Sequence, residues 1–475
     1  MPRNCLLWSQ ATGRLSGCLA ALSTWLCLAA AGLPLGAAQD VEQHGGPAMK
    51  PRRLVLCLDG TSNNDFNKQR REEGRQEVLK PTNVLKTCRA VTPWDEGTGR
   101  EQIAYYDIGV GSLTQYPGVA NHLLYNFDRI LGGAWGAGFE GNVERALTFI
   151  VLNHEPGDEV FIFGFSRGAA TSRAVTRFID WAGGLPRKED AYYLPFLFQD
   201  FIRYRGNRPV DASVEELNAQ SVKGKSELGP LVPITVQYLG VWDTVMALGS
   251  RFKATAGSTT EVSKSFYLDK QPARCVKHAR QAIAVDEMRY DFRPEIWSAA
   301  REDQSLEQRW FAGVHSNVGG GYADDGLANI AFRWILGGAE AQGLIVDPGY
   351  VKFFKPYSQD KMYSSDSLLY RILDRLRRSG RGKRELLGRP ATANLTLDPS
   401  VIHRIRADPK ATRPDGKPQY PQMERPYRPQ NVLAFLACQP DLAGYLRGIG
   451  VSEDRLELPA DVMQQLAKLR PHCPR

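Results

Sequence analysis

Short apolar runs alternate with helical patterns along most of the chain. The run Leu54–Leu58 is apolar at every position, which predicts a strand buried on both faces of a parallel sheet. Similar runs predict further strands at Ile103–Tyr106, Val160–Phe163, Ile234–Val241, Ala279–Val285 and Trp310–Val314. Helical patterns are found at Asn83–Val91, Asn142–Leu152, Ala169–Trp181 and Leu327–Ala341. This alternation predicts an α/β fold with a doubly wound, mostly parallel sheet.

Polar or glycine-rich segments interrupt this pattern. Segments 185–230 and 246–272 have the polar composition of cap insertions, and Gly109–Gly138 is predicted to be a long loop or cap at the mouth of a site. We therefore expect one α/β domain over residues 51–348. Residues 349–475 are predicted to be a less regular accessory region, either packed on that domain or facing a membrane.

The C-terminal quarter is basic. The 475-residue chain has a net charge of +8, and from Val351 onward Lys and Arg outnumber Asp and Glu by 10. Such a surface attracts anionic lipid or nucleic acid, or is a solvated face. Apolar residues of Leu368–Leu376 also recur at helical spacing, and we expect this helix to pack on the main domain, with a membrane-surface position as the alternative. No nucleic-acid partner is predicted.

Residues 1–38 have the pattern of a secretory signal peptide. A basic segment precedes the apolar stretch Leu15–Ala31, and small residues follow Pro34. We predict cleavage near Ala38, a linker over residues 39–50, and export to the periplasm or outside the cell. An uncleaved membrane anchor is the alternative, because the apolar stretch is nearly long enough to span a bilayer.

The eight cysteines give no readable disulfide framework. Three of them precede Ala38 and would leave with the signal peptide, so an odd number remains. One or two disulfides stay open for a protein outside the cytoplasm. Cys57, within an apolar run, is predicted to be a core residue.

The sequence Gly164-Phe165-Ser166-Arg167-Gly168 lies between a predicted strand and a predicted helix. In this context G-x-S-x-G predicts a nucleophile elbow, a tight turn that presents the serine hydroxyl at the carboxyl end of a strand. The turn also places the Arg167 N–H at a helix N-terminus, where it can stabilise an oxyanion. Ser166 is therefore the candidate nucleophile, and residues 51–348 are the candidate catalytic domain.

A serine nucleophile needs an imidazole base, and the base needs an acid that holds its tautomer. After such an elbow the expected chain order is serine, acid, histidine. His315 ends the last clear predicted strand and precedes a glycine-rich loop, so it is the candidate base. Asp243 and Asp286 each follow a strand between the two, and we favour Asp243 because it follows the longer strand. Asp286 is the alternative acid, or a structural carboxylate that caps backbone N–H groups.

A second oxyanion donor is expected from the loop after the first strand. The backbone N–H of Gly60 or Thr61 suits this function, since glycine permits the unusual turn. Asp59 would orient the loop, or would form an Asx turn with no catalytic part. The sequence has no recognised metal-ligand spacing and no phosphate-binding motif, so no metal or other cofactor is predicted.

Six segments occur in the order of one known family. They are Leu58-Asp59-Gly60-Thr61-x-Asn63-Asn64, Pro81-Thr82-Asn83-Val84, Tyr106-Asp107-x-Gly109-Val110-Gly111, Gly164-Phe165-Ser166-Arg167-Gly168-Ala169, Gly240-Val241-Trp242-Asp243-Thr244-Val245 and Trp310-Phe311-x-Gly313-Val314-His315-Ser316-x-Val318-Gly319-Gly320-Gly321-Tyr322. Over about residues 52–345 the chain resembles the uncharacterised α/β-hydrolase domain family that includes phospholipase effectors of the type VI secretion system. The resemblance implies an α/β-hydrolase fold and hydrolysis of esters, with phospholipid acyl chains as the best-known substrates. It also implies Ser166 as nucleophile, Asp243 as acid and His315 as base.

Two features depart from the family pattern. Ser62 stands where many relatives carry an aromatic residue. A signal peptide also does not suit an effector that is loaded into a secretion needle from the cytoplasm.

The sequence therefore predicts an exported serine hydrolase that cleaves carboxylic esters through an acyl-enzyme, with phospholipids as the favoured substrates and a membrane surface as a place of action. A general soluble esterase and a non-catalytic, envelope-associated binding module are the alternatives. The sequence identifies no secretion or immunity partner.

Overall fold

Strands form where the apolar runs predict them, with bounds that differ by a few residues. The computed structural model describes residues 50–60, 68–70, 77–108, 135–220, 227–246, 268–289, 292–364, 384–387 and 393–473. The described strands are β1 (Arg53–Leu58), β2 (Lys68–Arg70), β3 (Glu77–Leu79), β4 (Trp94–Asp95), β5 (Arg100–Asp107), β6 (Glu159–Phe165), β7 (Val236–Trp242), β8 (Val276–Ala284), β9 (Ser305–Phe311) and β10 (Leu395–Leu397).

One sheet contains eight of these strands, in the order β10-β9-β8-β7-β6-β1-β5-β4. All neighbouring pairs are parallel except β4 with β5 at one edge. The chain passes from β1 to β5 on one side and returns to β6 on the other, so the strand order reverses between β1 and β6. Ligands of open α/β sheets bind outside the carboxyl ends of the strands at such a reversal. The predicted α/β fold with a doubly wound, mostly parallel sheet is confirmed.

Strand β1 is buried along its full length because both faces of the sheet are covered. Leu54, Leu56 and Leu58 pack into one apolar cluster, whereas Val55 and Cys57 pack into a second cluster. The alternation follows from strand geometry, in which successive side chains point to opposite faces. Cys57 is fully buried, as expected of a core residue.

The helices supply the other side of both clusters. They are α1 (Asn83–Ala90), α2 (Trp135–Asn153), α3 (Arg167–Ala182), α4 (Leu194–Arg203), α5 (Val210–Ala219), α6 (His315–Gly319), α7 (Gly326–Glu340), α8 (Pro348–Val351), α9 (Pro399–Arg406), α10 (Gln430–Ala437), α11 (Leu442–Gly448) and α12 (Ala460–Leu469). Helices α2 and α3 pack in the cluster that contains Leu54, and α1 and α7 pack in the cluster that contains Val55. The two faces of the sheet are therefore each covered by helices, as a doubly wound fold requires.

Segment 185–230 differs from the expected polar cap. Its helix α4 buries Leu197, Phe198 and Phe201. The rings of Phe198 and Phe201 lie 5.6 Å and 5.3 Å from the ring of Phe178 in α3, both edge-on. The segment therefore extends the core, and the polar residues that suggested a cap belong to an amphipathic element.

The region predicted as accessory contributes to the same sheet. Strand β10 pairs in parallel with β9, and a third apolar cluster joins Ile283 and Trp310 of the sheet to Val401 of α9 and Val432 of α10. A disulfide links Cys438 to Cys473. Lys50–Arg475 forms one compact unit by its contacts.

Several predicted features lie outside the described residues. They are the signal peptide 1–38, Thr61 and Ser62, residues 109–134 of the glycine-rich segment, residues 247–267 of the second insertion, and the helix Leu368–Leu376. Among the helices that the structure does describe, none combines the length and apolar composition needed to cross a bilayer.

The turn between β6 and α3 depends on two glycines. A Cβ atom on Gly168 would lie 2.0 Å from the carbonyl oxygen of Leu58 and 2.5 Å from that of Asp59. A Cβ atom on Gly164 would lie 2.6 Å from the carbonyl oxygen of Gly168. Backbone atoms cannot rotate away as side chains can. Glycine at position 168 is therefore needed for α3 to approach β1 this closely, and glycine at position 164 for the end of β6 to lie against the first turn of α3.

Gly168→Ala is therefore expected to lower the free energy of unfolding by about 1–3 kcal/mol, because the added methyl overlaps backbone carbonyls. Gly337→Ala in α7 is the matched control, since no atom lies within 4 Å of its added Cβ. Better helix propensity should make this control about 0.5–1 kcal/mol more stable. Thermal unfolding measures both variants, and an unchanged Tm for Gly168→Ala would contradict the close approach.

Candidate active site

Ser166 joins β6 to α3 in a strained backbone conformation. Its φ of 58° and ψ of −121° lie in a region that non-glycine residues rarely adopt. The Ser166 N–H donates to the carbonyl oxygen of Trp242, at the end of β7, over 3.0 Å. The residue thus has the strand–turn–helix geometry that the G-x-S-x-G sequence predicts.

His315 follows β9 and pairs with Asp243, which follows β7. The His315 Nδ1 atom lies 2.6 Å from Asp243 Oδ2, and both residues are buried. Because an ionised carboxylate can only accept, Nδ1 carries the proton in this pair and Nε2 keeps a free lone pair in the neutral ring. The structure therefore brings together the predicted base and the favoured acid.

The imidazole of His315 lies in an apolar environment. Its ring centroid is 4.6 Å from that of Phe165 and 5.0 Å from that of Phe292. Burial lowers the pKa of His315 below its usual value, and the hydrogen bond to Asp243 partly opposes this effect. The neutral ring that a general base requires is thereby favoured near neutral pH.

Asp243 is surrounded by donors. Arg384 approaches its carboxylate with Nη1 2.5 Å from Oδ1 and Nη2 3.0 Å from Oδ2, and the Ala284 N–H donates to Oδ1 over 3.0 Å. Burial alone would raise the pKa of Asp243. The charge of Arg384 and the hydrogen bond from His315 outweigh burial and hold that pKa well below its usual range.

Asp286, the alternative acid, binds elsewhere. Its Oδ2 accepts hydrogen bonds from the Gly313 N–H over 2.6 Å and from the Tyr427 hydroxyl over 2.8 Å. Burial raises the pKa of Asp286 to about 6. This geometry corresponds to the structural role considered for Asp286, in which the carboxylate fixes the loop that leads to His315.

Glu287 adds a second carboxylate near His315. It is fully buried, and its Oε2 accepts a hydrogen bond from the His315 backbone N–H over 3.3 Å. Burial raises the pKa of Glu287, but the Arg289 side chain outweighs burial and lowers it to about 2. Glu287 therefore anchors the backbone of His315 as a carboxylate.

The loop after β1 is organised by Asp59. Its Oδ1 accepts from the Gly60 N–H over 2.6 Å, and its Oδ2 accepts from the hydroxyls of Thr82 and Tyr106 over 2.6 Å and 2.7 Å. The Gly60 N–H, one of the two predicted oxyanion donors, is thus engaged by Asp59 in this structure. Thr61, the other predicted donor, lies outside the described residues. Arg167 is buried as the first residue of α3.

Comparison with known families identifies the fold that carries this site. Residues 52–338 match the family described as "T6SS, Phospholipase effector Tle1-like, catalytic domain". That match covers more than half of the chain. The chain belongs to the Tle1-like phospholipase effector catalytic domain family.

Three proteins show distant similarity to this Tle1-like chain. An uncharacterized protein of Saccharomyces cerevisiae is 24% identical over 249 residues, which is 51% of this chain and 32% of the relative. A crystal structure of an uncharacterized protein from Pseudomonas aeruginosa has a TM-score of 0.38 at 16% identity, over 89% of this chain and 62% of the other. The structure of the Tle1 effector bound to the VgrG spike from the type 6 secretion system has a TM-score of 0.31 at 20% identity, over 61% of this chain and 56% of the other. The chain thus spans about a third of the length of the yeast relative.

Sequence reasoning missed several residues of the candidate site. Arg384, Glu287 and Tyr427 contact Asp243, His315 and Asp286 respectively, and the hydroxyls of Thr82 and Tyr106 hold Asp59. Thr82 and Tyr106 lie within two of the six family segments, and Glu287 follows the predicted strand Ala279–Val285 by two residues. No local sequence pattern around Arg384 predicts its contact with Asp243. In the part of the chain that the structure describes, no cluster of three His, Cys, Asp or Glu side chains could hold a metal ion.

Replacing Asp286 tests its structural role. Asp286→Ala should lower the free energy of unfolding by about 1–3 kcal/mol, because the buried Gly313 N–H and Tyr427 hydroxyl lose their acceptor. Asp286→Asn keeps an acceptor oxygen and should lose less. Chemical denaturation measures both variants.

The difference in stability between the wild type and Asp286→Asn should depend on pH. Because the Asp286 pKa is raised to about 6 in the folded state, the fold favours the protonated form. The stability of the wild type relative to Asp286→Asn should therefore fall as the pH rises from about 4 to about 6. A difference that stays constant over this range would contradict a buried, shifted carboxyl group.

Proposed function

We propose that this chain is a serine hydrolase that cleaves carboxylic esters of phospholipids, with Ser166 as nucleophile, His315 as general base and Asp243 as the acid. The proposal is carried by the 2.6 Å contact between His315 and Asp243, at the same edge of the sheet as the strained Ser166. Membership of a phospholipase effector family supports the substrate class.

In the proposed acylation, the Nε2 atom of His315 accepts the proton of the Ser166 hydroxyl, while Asp243 holds the Nδ1 proton and stabilises the imidazolium. The Ser166 oxygen attacks the ester carbonyl carbon and forms a tetrahedral oxyanion. Collapse of this species breaks the ester bond, the leaving alkoxide takes the proton from Nε2, and a lysophospholipid departs.

In the proposed deacylation, the same imidazole removes a proton from water, which attacks the acyl group on Ser166. The second tetrahedral species releases a fatty acid, and the Ser166 oxygen regains its proton from Nε2. The Arg167 N–H at the start of α3 would stabilise both oxyanions, aided by the helix dipole. Thr61 is proposed as the second donor, because the Gly60 N–H is bound to Asp59.

Export remains part of the proposal. The signal-peptide pattern of residues 1–38 is its basis, with a membrane anchor as the alternative. The disulfide between Cys438 and Cys473 supports an oxidising compartment. Delivery by a secretion-machinery partner is the alternative to export by a signal peptide, and it rests on the description of the family.

Ser166→Ala should abolish labelling by a fluorophosphonate probe, because the probe reacts with an activated serine oxygen. Ser172→Ala is the matched control, since Ser172 lies on the same helix with its hydroxyl bound to the Gly168 carbonyl. Mass spectrometry of the labelled peptide gives the readout. A folded wild-type protein that takes no label would instead support the non-catalytic binding module.

The substrate class is tested with the wild type and Ser166→Ala. Wild-type protein is expected to release fatty acid from phosphatidylglycerol–phosphatidylethanolamine vesicles, and Ser166→Ala is not. Turnover of a soluble short-chain ester without any release from vesicles would support the general esterase and contradict the phospholipase.

The acid limb of kcat/KM should have its midpoint below pH 6.5, because burial lowers the His315 pKa from that value. Below the midpoint the imidazole is protonated and cannot accept the Ser166 proton, so the rate should fall about tenfold per pH unit. Initial rates on a soluble ester from pH 4 to 9 measure the limb. A midpoint above 7 would contradict a buried base.

A further inference from the structure

We propose that Arg384 is a positioning residue for catalysis, which fixes the Asp243 carboxylate and so sets the orientation of His315. This inference rests on the proposed function. Arg384 lies beyond residues 52–338 that match the family, in the C-terminal region that the sequence predicted to be accessory. The C-terminal region would then be part of the catalytic machinery.

The contact between Arg384 and Asp243 is bidentate. Two parallel N–H···O bonds join Nη1 to Oδ1 over 2.5 Å and Nη2 to Oδ2 over 3.0 Å. The side chains of Arg384 and Asp243 are 1% and 0% exposed. Two such bonds fix the plane of the carboxylate, which a single donor cannot do.

The guanidinium is itself held in place. Its Nη1 also donates to the Ala284 carbonyl over 2.8 Å, and its Nη2 donates to the Phe292 carbonyl over 2.6 Å. The Arg384 backbone carbonyl accepts a hydrogen bond from Asn431 of α10 over 3.0 Å. The position of Arg384 is therefore determined by β8, the loop that follows it and a C-terminal helix.

The shared carboxylate oxygen links Arg384 to the base. Asp243 Oδ2 accepts from both Arg384 Nη2 and His315 Nδ1. A positive charge on the same carboxylate weakens its attraction for an imidazolium, so Arg384 should hold the His315 pKa down. It also keeps Asp243 ionised despite burial. Loss of Arg384 should thus slow the reaction through lost orientation and raise the His315 pKa through lost charge.

The test compares Arg384→Gln and Arg384→Lys with the wild type on a soluble ester. We expect Arg384→Gln to lower kcat about 10²-fold with little change in KM, because the residue orients the acid and does not touch substrate. Its acid limb should move to higher pH. Arg384→Lys keeps the positive charge but loses the bidentate contact of the guanidinium. It should therefore lower kcat while its acid limb stays near that of the wild type.

Arg404→Lys is the matched control. Arg404 is a buried arginine of α9 whose Nη1 donates to the carbonyls of Ser358 and Asp360 over 2.7 Å and 2.8 Å. Its replacement should lower stability without moving the acid limb. Circular dichroism checks the fold of each variant.

A double-variant cycle with Asp243→Asn keeps the inference testable if Arg384→Gln does not fold. If Arg384 acts through Asp243, adding Arg384→Lys to Asp243→Asn should slow turnover far less than it does in the wild type. Equal fold-losses in both backgrounds, or wild-type kcat and acid limb in the Arg384 variants, would overturn the inference.

Fluorophosphonate labelling of wild-type Ser166 distinguishes a failure of the proposed function from a failure of the inference about Arg384. An unlabelled wild type overturns the proposed function and this inference together, whereas a labelled wild type confines a failure to Arg384.

Discussion

The buried carboxylate of Asp243 is the group on which the rest of the site depends. A carboxylate removed from water is tolerated when it is both paired with a cation and fully hydrogen-bonded. Asp243 meets this condition through Arg384, the Ala284 N–H and His315. These donors come from different elements. Pairing the Asp243 carboxylate with all of them therefore fixes the relative positions of the ends of β7 and β8, the loop after β9 and a C-terminal segment. The requirement of one buried charge thereby organises the part of the sheet where the candidate site lies.

A second constraint acts at Ser166, whose positive φ has to be held by its surroundings. The hydrogen bond from its N–H to Trp242 ties the elbow to β7, the strand that ends next to Asp243. The close contact of Gly168 with the carbonyls of Leu58 and Asp59 ties α3 to β1. The strained serine and the buried carboxylate are thus fixed by the same central strands, so their relative geometry does not depend on a long loop.

The sequence predicted those parts of the fold that local patterns determine. The apolar runs predicted where most of the described strands lie along the chain, because a strand buried on both faces must be apolar throughout. The elbow was predictable because the tight turn requires two glycines, and both lie within one five-residue motif. Arg384 was not, since it meets Asp243 across 141 residues and an arginine in a basic segment has no distinguishing local pattern. The weak regularity of their pattern led residues 349–475 to be predicted as an accessory region, although their buried residues complete the third apolar cluster.

The two aspartates at neighbouring strand ends show why the sequence left the acid open. Asp243 and Asp286 both follow apolar strands and precede turns, so composition and position treat them almost alike. Their environments separate them. Arg384 and His315 keep the pKa of Asp243 well below its usual range, whereas Asp286 has a tyrosine hydroxyl and a backbone N–H as partners, and burial raises its pKa to about 6. An acid that stabilises a transient imidazolium acts as a carboxylate, and the environment of Asp243 favours the carboxylate more strongly than that of Asp286. The proposed assignment of the acid therefore rests on which carboxylate His315 contacts, and that is also the carboxylate the distant arginine reaches.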